Sequence, residues 1–325
     1  MEADLVKRAG ILYKAIPAAG IHGVGLRALP YNSWQLGRGV FAARRILKDF
    51  RPQALFFTGG YMAVPMALAG RKIPSALYVP DIEPGLALKT LARFARCIAV
   101  TAEESRSYFP GHPRVVVTGY PARPDLKTWD PEMARQVFDF TADLPVLLVS
   151  GGSKGARSIN RALLAVLPQL LAEMQVIHIS GQLDWPEVEQ ARGSLDAAQL
   201  ARYRAYPYLH GEMGAALALA DLAITRAGAS SLGELPLFGL PAVLVPYPYA
   251  WRYQQVNAEY LARQGAAQVV ADAELASRLL PAVQDLMRDP GRREQMRQAM
   301  QSLARPDAAQ SIASLLFDMA GRGQR

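Results

Sequence analysis

Two periods of hydrophobic and polar residues alternate along the chain. Short runs of apolar and β-branched residues fall at 54–58, 75–79, 97–101, 115–118, 145–150, 175–180, 221–225, 242–245 and 267–270. Each has the length and composition of a buried strand. Stretches of helical period separate most of them, among them 156–172, 212–220, 231–238 and 254–263. Strand–helix alternation at this spacing predicts parallel sheets in an α/β architecture. A turn cluster, Gly119-Tyr120-Pro121-Ala122-Arg123-Pro124, interrupts the series, and alternation restarts at Pro145 after a polar helix over 131–138. This predicts two α/β halves, the first over 1–122 and the second over 123–305, with a last helix after Pro306, in 306–325. The opening residues 1–10 read as a charged helix stopped by a glycine cap. A doubly wound domain usually opens with a strand and a Gly-rich turn, which are not visible here, so the first half is expected to be incomplete or degenerate.

Composition narrows the class. Of 325 residues, 51% are hydrophobic and 20% charged, which excludes a disordered or collagen-like chain. The single cysteine, Cys97, excludes a disulfide framework and a cysteine zinc cluster. The net charge of +8 suits nucleic acid, anionic lipid, a phosphorylated small molecule, or simply dispersed arginines. Nucleic acid is disfavoured as a partner, because no Lys/Arg block, RNA-binding aromatic signature or zinc-finger spacing occurs. The start, Met1-Glu2-Ala3-Asp4, does not read as a signal peptide, so none is expected there. The longest uncharged apolar stretch, 235–251, contains Pro236, Pro241, Pro246 and Pro248 and is too short to span a bilayer. The expectation is a cytosolic protein with some contact to a membrane surface.

Two loops carry candidate chemistry. Gly151-Gly152-Ser153-Lys154-Gly155 joins a buried strand to a helix, where backbone N–H groups, the helix dipole, Ser153 and Lys154 suit a phosphate or diphosphate. A plain tight turn is the alternative. The loop is neither a Walker loop nor a dinucleotide fingerprint. It does fit Gly-x-Ser-x-Gly, with Ser153 as a hydrolase nucleophile, but only His178 and His210 follow it. Residues 226–234, Arg-Ala-Gly-Ala-Ser-Ser-Leu-Gly-Glu, form a second strand–turn–helix start. There Glu234 either completes a capping box with Ser231 or accepts hydrogen bonds from a ribose diol. Further on, Gln254 and Asn257 share a helix face, and their amides suit sugar hydroxyls or solvent.

The GGSKGA loop, the run TRAGASSLGELPLFGLPAVLVPYPYAWRYQQVNA and the following QGAAQVV resemble the donor half of MurG-type N-acetylglucosaminyltransferases. Blocks around Arg51-Pro52, Gly59-Gly60-Tyr61, Pro65 and Ile73-Pro74 resemble the other half, so the likeness covers nearly the whole chain. It implies a GT-B fold: two Rossmann-like domains with parallel sheets facing across a cleft, the last helix packing back on the first. It also implies inverting transfer of N-acetylglucosamine from UDP-N-acetylglucosamine to a lipid-linked acceptor, lipid I, with no cofactor and no bound metal. By the resemblance, Arg123 is a basic contact at the donor site, and Gly152, Ser153, Lys154 and Gly155 bind the UDP phosphates. Gly228, Ala229 and Ser230 form the second anion-binding turn, Leu209 reads uracil through its backbone, Glu234 holds the ribose, and Gln254 and Asn257 read the sugar. Gly60 and Tyr61 are the candidates for the acceptor side, a packed strand-end tyrosine being the alternative for Tyr61.

The chain also departs from the family. The family's Gly-Gly-Thr-Gly-Gly-His loop is absent, and its His-Glu-Gln-Asn motif aligns with Tyr78-Val79-Pro80-Asp81. Val79 cannot take a proton, which leaves Asp81 and Glu83 as candidates for the catalytic base. Their spacing also fits a weak metal pair or a solvated loop end. The helix over 34–48 mixes Trp34, Leu36, Phe41 and Ile46 with Arg38, Arg44, Arg45 and Lys48. It suits either an anionic membrane surface or an ordinary core-facing role. The location implied is the inner face of the cell membrane, peripherally bound, with a part in cell-wall synthesis, cell shape and division. A UDP-N-acetylglucosamine epimerase and a non-catalytic nucleotide-sugar-binding protein are the alternatives, with a hydrolase further off.

Overall fold

The computed structural model describes residues 6–7, 10–17, 29–152, 154–250 and 252–322. The first half holds α1 (Leu29–Phe50), α2 (Val64–Ala69), α3 (Leu86–Ala92) and strands β1 (Leu55–Phe57), β2 (Ser75–Val79), β3 (Cys97–Val100) and β4 (Val115–Val117). These strands pair in parallel in the order β1-β2-β3-β4. The second half carries β5 (Val146–Ser150), β6 (Gln175–Ile179), β7 (Tyr203–Tyr206), β8 (Leu222–Thr225), β9 (Ala242–Leu244) and β10 (Ala267–Val269). Its helices are α4 (Pro131–Phe138), α5 (Arg157–Leu171), α6 (Trp185–Arg192), α7 (Ala197–Ala201), α8 (Met213–Leu219), α9 (Ser231–Phe238), α10 (Tyr253–Arg263), α11 (Leu275–Met287), α12 (Pro290–Ser302) and α13 (Ala308–Arg322).

The second sheet is also parallel, in the order β10-β9-β8-β5-β6-β7. The chain therefore winds outward from β5 to one edge and returns to β8 to wind toward the other. Between β5 and β8 the connections diverge, and a crevice opens beyond the carboxyl ends of the strands.

The sequence reads as strands because both faces of each sheet are covered. β2, β3, β5 and β6 are buried at every position, which gives the continuous apolar runs of parallel sheets. Side chains still alternate between faces. Leu148, Ile177 and Leu244 join the core that includes Phe138 of α4 and Leu235 of α9. Leu147, Val176 and Val243 join the core beneath α5 and α11. In the first sheet, Leu77, Val79 and Ile98 pack on Leu88 and Leu91. Ala76, Tyr78 and Cys97 face Ile312, Leu315 and Met319 of α13, which crosses back onto that sheet.

Two elements differ from the sequence reading. β7 was not expected, because only Tyr203 and Ala205 of its four residues are buried. The N-terminal helix falls mostly outside the described residues, although Val6 and Lys7 are helical and Gly10 has φ +70°.

Candidate active site

The loops after β5 and β8 form the walls of two adjoining cavities. One, of about 310 Å³, has Leu148, Ile179, Leu209 and Met213 on its apolar side and Arg123, Ser230 and Glu234 on its polar side. Glu234 stands in the first turn of α9, yet it does not cap the helix, which has no side-chain cap bond. The Ser231 hydroxyl turns back to donate to the Arg226 carbonyl at 2.9 Å, so the capping box does not form. The Glu234 carboxylate faces the cavity with the Ser230 hydroxyl as donor. Burial pushes its carboxyl above the usual range, against the opposing pull of Arg123 and Ser230.

The other cavity, of about 1000 Å³, is lined by Gly152, Lys154, Gly155, Gly228, Ser230 and Gln254, among others. Gly152 and Gly155 have φ of +81° and +80°, conformations glycine adopts without a Cβ penalty. The Gly155 N–H donates to the Gly152 carbonyl at 2.9 Å and closes the turn. Ser153 lies outside the described residues. Ala229 lies in the second turn between Gly228 and Ser230, its carbonyl accepting from the Leu232 N–H at 3.1 Å. Gln254 accepts from the Tyr247 N–H at 2.9 Å, which holds its amide at the cavity wall.

Arg226 is a site residue that the sequence reading passed over. It is 9% exposed and lines the larger cavity. Its guanidinium donates to the Asp272 carboxylate, to the Ser158 hydroxyl at 2.8 Å and to the Val245 carbonyl at 3.1 Å, and lies 5.2 Å from the Tyr247 ring centroid. The available signal was an arginine at the end of a strand, directly before a Gly/Ser turn.

The two halves meet at Asn257, which is fully buried. Its Nδ2 donates to Asp81 Oδ1 at 2.8 Å and to the Ala227 carbonyl at 3.1 Å, and its Oδ1 accepts from the Ile82 N–H at 3.0 Å. The amide is thus committed to protein partners. Burial pushes the Asp81 carboxyl up, opposed by the bond from Asn257. One carboxylate oxygen of Glu83 is shut from solvent without a hydrogen bond, 3.4 Å from Arg252 Nε.

Asp81 also borders a third cavity, of about 350 Å³, with Gly60, Gly85, Leu86 and Tyr253. Tyr61 is exposed beside it, at the start of a short 3₁₀ turn. Tyr120 was likewise not anticipated: its phenol is pushed up by burial and by the negative fields of Glu234 and Asp81, one from each half. Val79 ends β2 fully buried. His178 has both ring nitrogens engaged, with Tyr203 and Asn160, and burial holds it neutral, with a pKa of about 3. It cannot act as the base of a hydrolase. Among the described residues no three His, Cys, Asp or Glu side chains gather as a metal site.

Comparison with known proteins identifies relatives of the chain in sequence and in fold. Residues 146–312 match the glycosyltransferase family 28 C-terminal domain, and residues 1–100 match the family 28 N-terminal domain. A protein of Roseiflexus sp. (strain RS-1) is 42% identical over 364 residues, covering 100% of this chain and 82% of the relative. It is described as UDP-N-acetylglucosamine–N-acetylmuramyl-(pentapeptide) pyrophosphoryl-undecaprenol N-acetylglucosamine transferase. The crystal structure of Acinetobacter baumannii MurG superposes with a TM-score of 0.74 at 27% identity, over 98% of this chain and 88% of that one. A UDP-GlcNAc 2-epimerase from Neisseria meningitidis, bound to UDP-GlcNAc, gives 0.67 at 12% identity over 98% and 88%, a likeness of fold alone. With two parallel α/β sheets, a doubly wound second half and both family domains matched in order, the chain belongs to glycosyltransferase family 28 and has its GT-B fold.

Proposed function

We propose that the protein transfers N-acetylglucosamine from UDP-N-acetylglucosamine, with inversion, to a polyprenyl-diphosphate-linked acceptor, the lipid I to lipid II step of peptidoglycan synthesis. The observation that carries this reading is the pair of Gly/Ser turns flanking the β5/β8 switch point, with the Glu234 carboxylate facing the cavity beside them. Uracil enters the smaller cavity against Leu209, and Glu234 accepts from the ribose diol near Arg123. The diphosphate lies along residues 151–155 and 228–230. Gln254 faces the sugar.

As the glycosidic bond breaks, charge grows on the departing diphosphate. Fixed backbone N–H groups, Ser153 and Lys154 therefore act most strongly in the transition state, while Arg226, committed to Asp272, Ser158 and the Val245 carbonyl, braces the cavity wall. Asp81 takes the proton from the attacking acceptor hydroxyl. Burial raises its pKa toward the useful range for a base. Asn257, expected at the sugar, orients Asp81 instead, and Glu83 holds Arg252. Gly60 and Tyr61 border the acceptor side. The Asp81–Asn257 bond ties base and donor halves together, which favours alignment of the two substrates.

The acceptor end of the chain suits a membrane surface. On α1, Tyr31, Trp34, Phe41 and Phe50 are exposed, with Arg38 4.7 Å from the Trp34 ring and Arg44 5.9 Å from the Phe41 ring. Among the described residues no helix is long and apolar enough to cross a membrane. We place the protein peripherally on the anionic inner face of the cell membrane, where cell-wall synthesis serves cell shape and division. Calorimetric titration with UDP and UDP-N-acetylglucosamine tests the donor assignment. Saturable binding of both is expected, and no binding of either would overturn it.

A further inference from the structure

Behind the diphosphate turn runs a chain of buried polar groups that reaches the larger cavity only at its far end, at Asp184 and Arg157. It begins at Tyr203 on β7, which is 1% exposed, and passes through His178 on β6 to Asn160 on α5, 0% and 2% exposed. Tyr203 Oη lies 2.7 Å from His178 Nδ1, and His178 Nε2 lies 3.0 Å from Asn160 Oδ1. Asn160 Nδ2 donates to the Ser180 carbonyl at 2.8 Å and to Asp184 Oδ2 at 2.9 Å. Asp184 Oδ1 accepts from Arg157 Nε at 2.9 Å, and Arg157 lines the larger cavity.

Proton positions along this chain follow from the donor and acceptor inventory. A carbonyl and a carboxylate only accept, so both Asn160 Nδ2 protons are used and its Oδ1 must accept. His178 Nε2 therefore carries a proton. The ring is neutral, so Nδ1 is bare and takes the Tyr203 O–H. Every group has one role, and the chain has a single hydrogen-bonded arrangement.

The Ser180 carbonyl at its end is also the floor of the turn. A Cβ on Gly155 would stand 2.2 Å from that oxygen, and a Cβ on Gly181 would stand 2.5 Å from the Gly155 nitrogen. Two backbones touch there with no side chain between them. Wherever Asn160 fixes Ser180, it fixes the height of Gly155 at the end of the turn.

We propose that His178, through Asn160, is a positioning residue for the diphosphate: it holds the Ser180–Gly181 floor and Arg157 at the distances that set the phosphate-binding turn. This rests on the donor-site reading above. The nucleoside cavity shares only Gly152 with the turn and Ile179 with β6 and is otherwise lined chiefly from β5, β8, α8 and α9, so the larger effect falls on the phosphates.

The test compares UDP with uridine, which lacks the phosphates, in calorimetric titrations of the full chain. His178→Phe should weaken UDP at least about tenfold, equivalent to about 1.4 kcal/mol, while uridine stays within about twofold. His178→Gln, whose amide N–H can still donate to Asn160 Oδ1, should restore UDP binding to within about threefold. Should His178→Phe fail to fold, Tyr203→Phe removes only the end hydroxyl, and a loss of about threefold for UDP with uridine unchanged supports the inference. Unchanged UDP affinity in His178→Phe, or in Tyr203→Phe where that variant replaces it, or equal losses for UDP and uridine, would overturn it while leaving the donor site intact. Failure of the wild-type protein to bind UDP would overturn both.

Discussion

Asn257 on α10 donates to Asp81 Oδ1 across the two halves at 2.8 Å, while its second N–H holds the Ala227 carbonyl beside the donor turn. One amide therefore ties the acceptor-side carboxylate to the donor loop. If Asp81 is the base, Asp81→Asn keeps an acceptor for Asn257 and removes the proton sink. Turnover should fall by about 10²–10⁴-fold, with UDP-N-acetylglucosamine affinity within about threefold. The Asp81 carboxyl is held above its ordinary range, so wild-type kcat should decline as pH drops through that raised value. A variant with unaltered kcat and the same acid limb would remove Asp81 from the mechanism.

Glu234 couples recognition to a stability cost. Its carboxyl is raised in the fold, so the folded state binds the proton more readily than the unfolded one. The contribution to stability is complete below the unfolded pKa and lost as pH rises through the folded value. Glu234→Gln should therefore raise Tm at pH 7–8, with the gain vanishing near pH 4. Loss of charge-assisted bonds to the ribose, worth about 1.5–3 kcal/mol, should weaken uridine about 10–100-fold. Equal uridine affinity in calorimetry would remove the ribose assignment.

The strands were legible where burial is continuous, as in Ser75–Val79 and Val146–Ser150. β7 was not, because Tyr203-Arg204-Ala205-Tyr206 places an arginine in the strand, whose guanidinium reaches out to the Phe138 and Asp139 carbonyls. The two anion-binding turns showed in their glycines. What converges on them did not, because Asn257 and Asp81 are 176 positions apart. Local pattern also misled: Ser231-x-x-Glu234 fits a capping box, but the serine hydroxyl is taken by the Arg226 carbonyl. Arg226 showed only as an arginine ahead of a Gly/Ser turn, and Tyr120 needed the folded geometry to be recognised.

His178 sets an acid limit on stability. Its pKa is pushed down to about 3 by burial, against about 6.5 when unfolded. Its contribution is fully present above the unfolded value and is lost as pH falls from about 6.5 toward 3, at about 1.4 kcal/mol per pH unit. Urea midpoints between pH 4 and 7 should fall less steeply on acidification in His178→Gln than in the wild type. Identical slopes would mean that the ring does not titrate on unfolding.

The aromatic and basic surface of α1 makes a separate prediction. Each basic residue near an anionic membrane contributes about 1 kcal/mol. Arg44→Glu with Arg45→Glu should abolish low-salt flotation with anionic vesicles while leaving UDP affinity unchanged. Absence of wild-type flotation at low salt would contradict the membrane assignment.

The most direct measurement follows UDP release from UDP-N-acetylglucosamine with and without a polyprenyl-diphosphate-linked acceptor. Our account predicts release only with the acceptor present, matched one for one by sugar on the lipid product. Conversion of the donor without an acceptor, or binding with no turnover in either mixture, would contradict it.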